Sequence, residues 1–352
     1  MLPSTQHKRD WLVRQIYRGI LADDGELILV QDQAGDEALL RELIAALQMV
    51  GATPIVDYND LHTVSQVLTL ASLDSLNHFD HHRQDWWQRC QRSIVLTDET
   101  HDLLDTSTEA WKRWNAARER LQAIEQDRKL PTLVVAVPTE RKAAELGISL
   151  QDLRELVESA QRASLLELQR ETEKLLFACE SAEMLTIETG AGAVLQIPCQ
   201  HCNWIADDGY VDPNDLAKGA RISHLPAGAL VATLAADTAT GSVHLPSLGA
   251  TVHVDKGQVV HLEATEESRR SLNNVFVADG QPLLLSHLTF GANPNLRRST
   301  GWWLVDRCRK HAVTLSFGDN RHWGGTHAAP LSLDMPLESA SVLVDNQLLI
   351  RA

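Results

Sequence analysis

The chain has 352 residues, 44% of them hydrophobic and 22% charged, an ordinary globular composition long enough for two domains. Its formal net charge of −15 argues against nucleic acid and anionic membrane as partners, since both select basic surfaces. Five scattered cysteines, the absence of an apolar run of about 18 residues and an opening MLPSTQHKRDW with no apolar core predict a cytoplasmic protein without signal peptide or membrane span.

In chain order, GELILVQD (25–32) predicts a buried strand. A helix follows it, with Leu40, Leu43, Ile44 and Leu47 on one face, Asp36 as its cap and Gly51 as its stop. TPIVDY (53–58) completes a βαβ unit. No G-x-G-x-x-G follows the first strand, so dinucleotide binding has no motif support. Residues 60–130 read as helical, with Trp86, Trp87, Trp111 and Trp114 packing between helices. LPTLVVAVP (130–138) predicts another buried strand. Ser149-Leu-Gln-Asp152 is a capping box that opens one long helix to about Ser181, bridging two domains.

From about residue 184 the period changes to two. TIETGAGAVLQI, GSVHLPSL, ATVHVDKGQVVHLEA and SVLVDNQLLI alternate and turn at Gly, Asp and Asn. The expected fold class is therefore an α/β N-terminal domain, residues 1–183, plus a β-rich (α+β) C-terminal domain, residues 184–352. In HAAPLSLDMP (327–336) a strand would set Ser332 and Asp334 side by side, a His-x-Asp pattern with its first ligand replaced.

Other constellations carry less. Cys199-Gln-His201-Cys202 lacks the second pair a zinc site needs, and Pro198 before it reads as a loop. His78, His81 and His82 read as a polar helix end, and G-x-S-x-G is absent. Trp204, Trp302, Trp303 and Trp323, with Arg297 and Arg298, have the composition of interface anchors, although core packing accounts for tryptophans equally simply.

The ordered set GELILVQD…MVGATPIV, VPTERKAAELGISLQDLREL, ISHLPAGALVATL, LLLSHLTFGANPNLR and GGTHAAPLSLDMPLESASVLVDN resembles the aminopeptidase S/T family of metallopeptidases. Within that superfamily it resembles the iron-dependent dihydroxypyridine ring-cleaving dioxygenases most. The resemblance implies a metallopeptidase-like two-domain architecture, a homodimer and a site in the C-terminal domain. It also implies that ligands are lost. Ala229 stands where the peptidases have a Glu, His287 where they have a second Glu, Thr314 where they have a His, and Ser332 where they have the His of His-x-Asp. No tyrosine follows Tyr210, so the usual Tyr ligand is missing, and Asp334 alone remains of the peptidase set. Alanine, threonine and serine cannot bridge two ions or activate a water.

The dioxygenases hold Fe(II) with two His and one Asp. Here His287 and Asp334 match, and Ser332 replaces the second His. Taking roughly 10–16 kcal/mol for a four-ligand zinc site, one ligand is worth on the order of 3 kcal/mol. His322 and His327 lie in the nearby RHWGGTH, and His327 could substitute.

The expectation is a pseudoenzyme without cofactor that holds a peptide in the former cleft. The peptide would be a ribosomal natural-product precursor, as for binding proteins of the crocagin pathway. His287, Ser332, Asp334, the four tryptophans and Arg297 and Arg298 would line that cleft, and a partner enzyme would act on the peptide. The alternatives are an Fe(II) dioxygenase using His287, Asp334 and His327, and a structural subunit pairing with an active relative.

Overall fold

The computed structural model describes residues 10–99, 109–235, 238–266, 276–278, 281–329 and 332–352. The chain divides into two compact units. The first takes residues up to Arg162 together with Gly209–Leu216 and Arg221–Pro226, and the second takes Ala163–Asp208, Ala217–Ala220 and Ala227–Ala352.

The first unit is built on a parallel sheet. Its strands are β1 (Leu27–Asp32), β2 (Thr53–Tyr58), β3 (Arg92–Thr97), β4 (Thr132–Ala136) and β8 (Ile222–Leu225), in the order β2-β1-β3-β4-β8. Every neighbouring pair is parallel. Leu29, Ile94, Leu133 and their neighbours are fully buried, as strands covered on both faces must be. Helix α1 spans Asp10–Gly19 and α2 spans Glu37–Met49. The Asp36 carboxylate accepts the Leu39 N–H and caps α2, whose buried face is Leu39, Leu40, Leu43 and Leu47. Ile44 is only half-buried. Residues 60–130 hold α3 (Leu61–Leu70), α4 (Leu73–Arg89) and α5 (Glu109–Arg128), but also β3, which the helical reading passed over. Trp87 and Trp114 are buried between these elements, whereas Trp86 is exposed.

Helix α6 runs Glu140–Leu146. The single helix expected from Ser149 to Ser181 is two helices, α7 (Leu150–Gln161) and α8 (Leu165–Glu180). Ser149 caps α7 as the capping box predicts, its hydroxyl accepting the Asp152 N–H. Ser164 then takes extended backbone, φ −64° and ψ 130°, which ends helical hydrogen bonding and starts α8 afresh.

The second unit is a β-sandwich. One antiparallel sheet orders β12 (Gln258–Ala264), β11 (Ala250–Asp255), β10 (Thr240–Leu245), β6 (Val194–Pro198), β5 (Met184–Glu188), β18 (Ser341–Val344) and β19 (Gln347–Arg351). The other orders β17 (Ser332–Leu337), β16 (Val313–Gly318), β15 (Leu285–Gly291), β9 (Ala229–Thr233) and β7 (Asn203–Asp207). The alternating run SVLVDNQLLI forms the β18–β19 hairpin. Its two turn residues, Asp345 and Asn346, both have positive φ, as a type I′ turn requires. Between the sheets lies one apolar core that includes Leu185, Ile187, Val252, Trp204, Leu288, Phe290 and Phe317. Two short strands, β13 (Val277–Ala278) and β14 (Gln281–Pro282), and two short helices, α9 (Pro213–Ala217) and α10 (Trp303–Asp306), complete the described elements named here.

Candidate functional site

Cross-strand register gathers the site. In the five-stranded sheet Asn203 pairs with Thr233, Thr233 with His287, His287 with Ser316, and Ser316 with Asp334. Directly paired residues share a face, so one polar row crosses all five strands. The next row, Trp204, Ala232, Leu288, Leu315 and Met335, faces the opposite way into the inter-sheet core. Ser332 and Asp334, two apart on β17, share the polar face as their spacing predicts, with Ser332 opposite Gly318.

Within the row the hydrogen bonds fix the protons. The Ser286 hydroxyl donates to the Ser316 carbonyl at 2.8 Å and sits 3.1 Å from His287 Nδ1. A serine hydroxyl has one proton, so Nδ1 carries the ring proton and donates to Ser286. His287 Nε2 faces Asp334 Oδ1 at 3.8 Å, too far for a hydrogen bond. The Ser316 hydroxyl donates to the same Asp334 oxygen. Burial pushes the Asp334 carboxyl up from its ordinary pKa, against the lowering effects of the Ser316 hydrogen bond and the Arg307 charge.

Aromatic and cationic groups close the cluster. Trp323 is buried with its ring centroid 6.3 Å from that of His287, and its carbonyl accepts from Thr233 Oγ1 at 2.8 Å. The Arg307 guanidinium lies 5.4 Å from the Trp323 ring and 5.9 Å from the Trp303 ring. It is ion-paired with Asp207, and both side chains are almost fully buried.

The structure thus brings together His287, Asp334, Trp323 and, through Arg307, Trp303. Trp204 does not belong with them: it stacks on Phe290, centroids 6.5 Å apart, on the other face of the sheet. Trp302 is 2% exposed and serves as core, so it offers no rim to a ligand. Arg297 and Arg298 are exposed on the loop before it. Ala229 lies at the far end of β9 on the His287 face, and Thr314 pairs with Thr289 two rows from His287, on the same face. Ser316, Ser286, Arg307 and Asp207 were not anticipated. Only strand register, which the sequence does not state, places them.

His327 stands apart from the His287–Asp334 pair. Its N–H donates to Asn320 Oδ1 at 2.9 Å, and burial lowers its imidazole pKa, as does the Arg321 charge, while Asp319 opposes them. Among the described residues no three His, Cys, Asp or Glu gather as a metal-ligand set. The row supplies one imidazole, one carboxyl whose pKa burial raises, and hydroxyls. The row offers one His and one carboxylate, with Ser332 in place of the second His, where the iron site that the family resemblance implies has two His and one carboxylate. Cys199 and Cys202 are held as thiols, burial pushing them up to about 11 and about 12.

The Asp334 environment has a pH signature. The folded-state pKa lies above an unfolded value of about 3.9, so between the two the folded state binds more protons than the unfolded. Stability contributed at this position is therefore present at low pH and falls as pH rises through the folded value. Urea midpoints followed across that window should decline more steeply for the wild type than for Asp334→Asn, which cannot ionise. Parallel slopes would contradict the assignment.

No protein-family model matches the sequence, and no curated sequence matches it significantly. Solved structures do match. The 2,5-dihydroxypyridine dioxygenase from Pseudomonas putida KT2440 aligns with a TM-score of 0.62 at 15% identity, covering 99% of this chain and 97% of that one. Wild-type AmpT from Thermus thermophilus aligns with a TM-score of 0.66 at 14% identity, covering 97% of each chain. The fold, a parallel α/β part followed by antiparallel sheets, is metallopeptidase-like. At these identities the likeness speaks to fold alone.

Proposed function

We propose that this protein is a non-catalytic binding protein that holds a peptide on a metallopeptidase-like scaffold. The observation that supports the reading is the polar row: His287 and Asp334, which the family resemblance matches to iron ligands, lie 3.8 Å apart with Ser316 between them in the row, and among the described residues no third ligand joins them. Trp323 packs against His287, so the accessible side of the cluster is β17, the edge of its sheet. Ser332 is exposed there and the Asp334 side chain is one-fifth exposed. An edge strand can take an extended peptide through main-chain hydrogen bonds, and Ser332 and Asp334 would read its alternate side chains.

The ligand class we propose is a ribosomally made precursor peptide of a natural product, presented to a separate modifying enzyme, as in the crocagin pathway. The protein would act as a cytoplasmic homodimer. The homodimer rests on the family resemblance and the cytoplasmic location on the scattered cysteines, while the precursor class follows from the peptide-handling scaffold. The Fe(II) dioxygenase alternative needs His327 as third ligand, and the described residues do not gather that set.

A display library of extended peptides tests the proposal. Enriched peptides should bind saturably, one per chain, and bind at least tenfold more weakly to a Ser332→Trp variant whose bulk covers β17. A library that yields nothing beyond an unrelated control protein would sink it.

A further inference from the structure

A second concavity lies wholly within the first unit, with a volume of about 420 Å³. Its lining is Trp11, Arg14, Gln15 and Arg18 of α1, Arg162 at the end of α7, and Tyr210. The four α1 residues follow an i, i+3, i+4, i+7 spacing, so one helical face supplies most of the wall. Its volume falls within the range of small-molecule sites.

The charge is what sets it apart. The whole chain carries −15, yet three of six lining residues are arginines and none is acidic. Among the described residues neither Arg14 nor Arg18 makes an ion pair. Arg162 reaches Glu158 at 3.4 Å, an exposed pair of little strength. Clustered guanidiniums repel one another, and an oxyanion held by their forked N–H groups reverses that cost.

The remaining residues favour a flat, partly polar ligand. The Arg162 guanidinium stacks 4.3 Å from the Trp11 ring, and Trp11 and Tyr210 are each half-exposed. Trp11 Nε1 and Gln15 Oε1 are buried without hydrogen-bond partners, one donor and one acceptor, while Gln15 Nε2 is spent on the Gln161 carbonyl at 2.9 Å. A bound group that pairs with either atom removes the cost of leaving it unmade.

We infer that this concavity binds a small oxyanion carried on a planar ring, its carboxylate or phosphate held by Arg14 and Arg18 and its ring lying against the aromatic wall. This site is separate from the β17 reading and does not depend on it. Isothermal titration of the full chain with AMP, benzoate and inorganic phosphate tests it, the first two separating phosphate from carboxylate as the anionic group. AMP or benzoate should bind once per chain, at least tenfold more tightly than inorganic phosphate. The Arg14→Gln/Arg18→Gln double variant should lose at least tenfold in that affinity. Both side chains are exposed, so an unchanged melting temperature would show the variant folded. Neither ring compound binding, phosphate binding as tightly as both, or full affinity in the double variant would each overturn the inference.

Discussion

Replacing Asp207 with alanine should destabilise the second unit by about 3–5 kcal/mol, because it strands Arg307 as a buried, uncompensated charge. The two side chains are 0% and 2% exposed. The guanidinium also lies against the rings of Trp303 and Trp323, which attract a cation more weakly than a carboxylate does, and the Asp334 carboxyl feels its charge without pairing with it. A charge-free pair, Asp207→Leu with Arg307→Met, should recover most of the loss, since apolar groups of similar volume need no compensation. The same double variant removes the Arg307 charge that lowers the Asp334 pKa, so Asp334 should titrate at still higher pH. Chemical denaturation of the three proteins decides the matter. An Asp207→Ala loss below about 1 kcal/mol, the size expected of a surface pair, would show that the pair is solvated.

Asp57→Ala in the first unit should cost a similar amount, about 3–5 kcal/mol. Arg83 of α4 donates to both Asp57 carboxylate oxygens, at 3.0 Å and 2.7 Å, and to Asn59 Oδ1 at 2.9 Å. Both side chains of the ion pair are 2% exposed. The guanidinium also lies 4.8 Å from the Trp114 ring and 5.6 Å from Phe79, so it ties α4 and α5 to the end of β2. Arg83→Lys should rescue little, because an ammonium cannot reproduce the fork or the stacking. If Arg83→Lys proves as stable as wild type, the bidentate geometry is not what holds these helices.

What could be read from the sequence was local. Helix α2 was visible through its cap and its apolar period, and the β18–β19 hairpin through alternation around Asp345-Asn346. Strand β3 was hidden because RSIVLT sits beside a long helical pattern, and its parallel partners lie 64 and 39 positions away. Strand β8 looked like part of the β-rich half. Its pairing with β4 draws it into the first sheet, an interaction spanning 90 residues. The helix break at Ser164 fell inside an apolar pattern that continues on both sides.

The site followed the same rule. His287 was found through the family resemblance, Asp334 through that resemblance and its spacing from Ser332, and the polar face of β17 by parity. Parity would also have placed Trp204 in the core, since it adjoins Asn203 of the polar row. Ser316 and the Arg307–Asp207 pair depend on register and on a contact across 100 residues, and no local pattern encodes either.

On the proposed reading the His287–Asp334 row holds no metal, and the bound metal per chain decides this. The protein would be purified anaerobically, offered Fe(II), Zn(II) and Mn(II), and analysed for bound metal by mass spectrometry alongside His287→Ala and Asp334→Ala. Well below one ion per chain is expected, with no difference between wild type and variants. Near-stoichiometric iron in the wild type that disappears in both variants would contradict it.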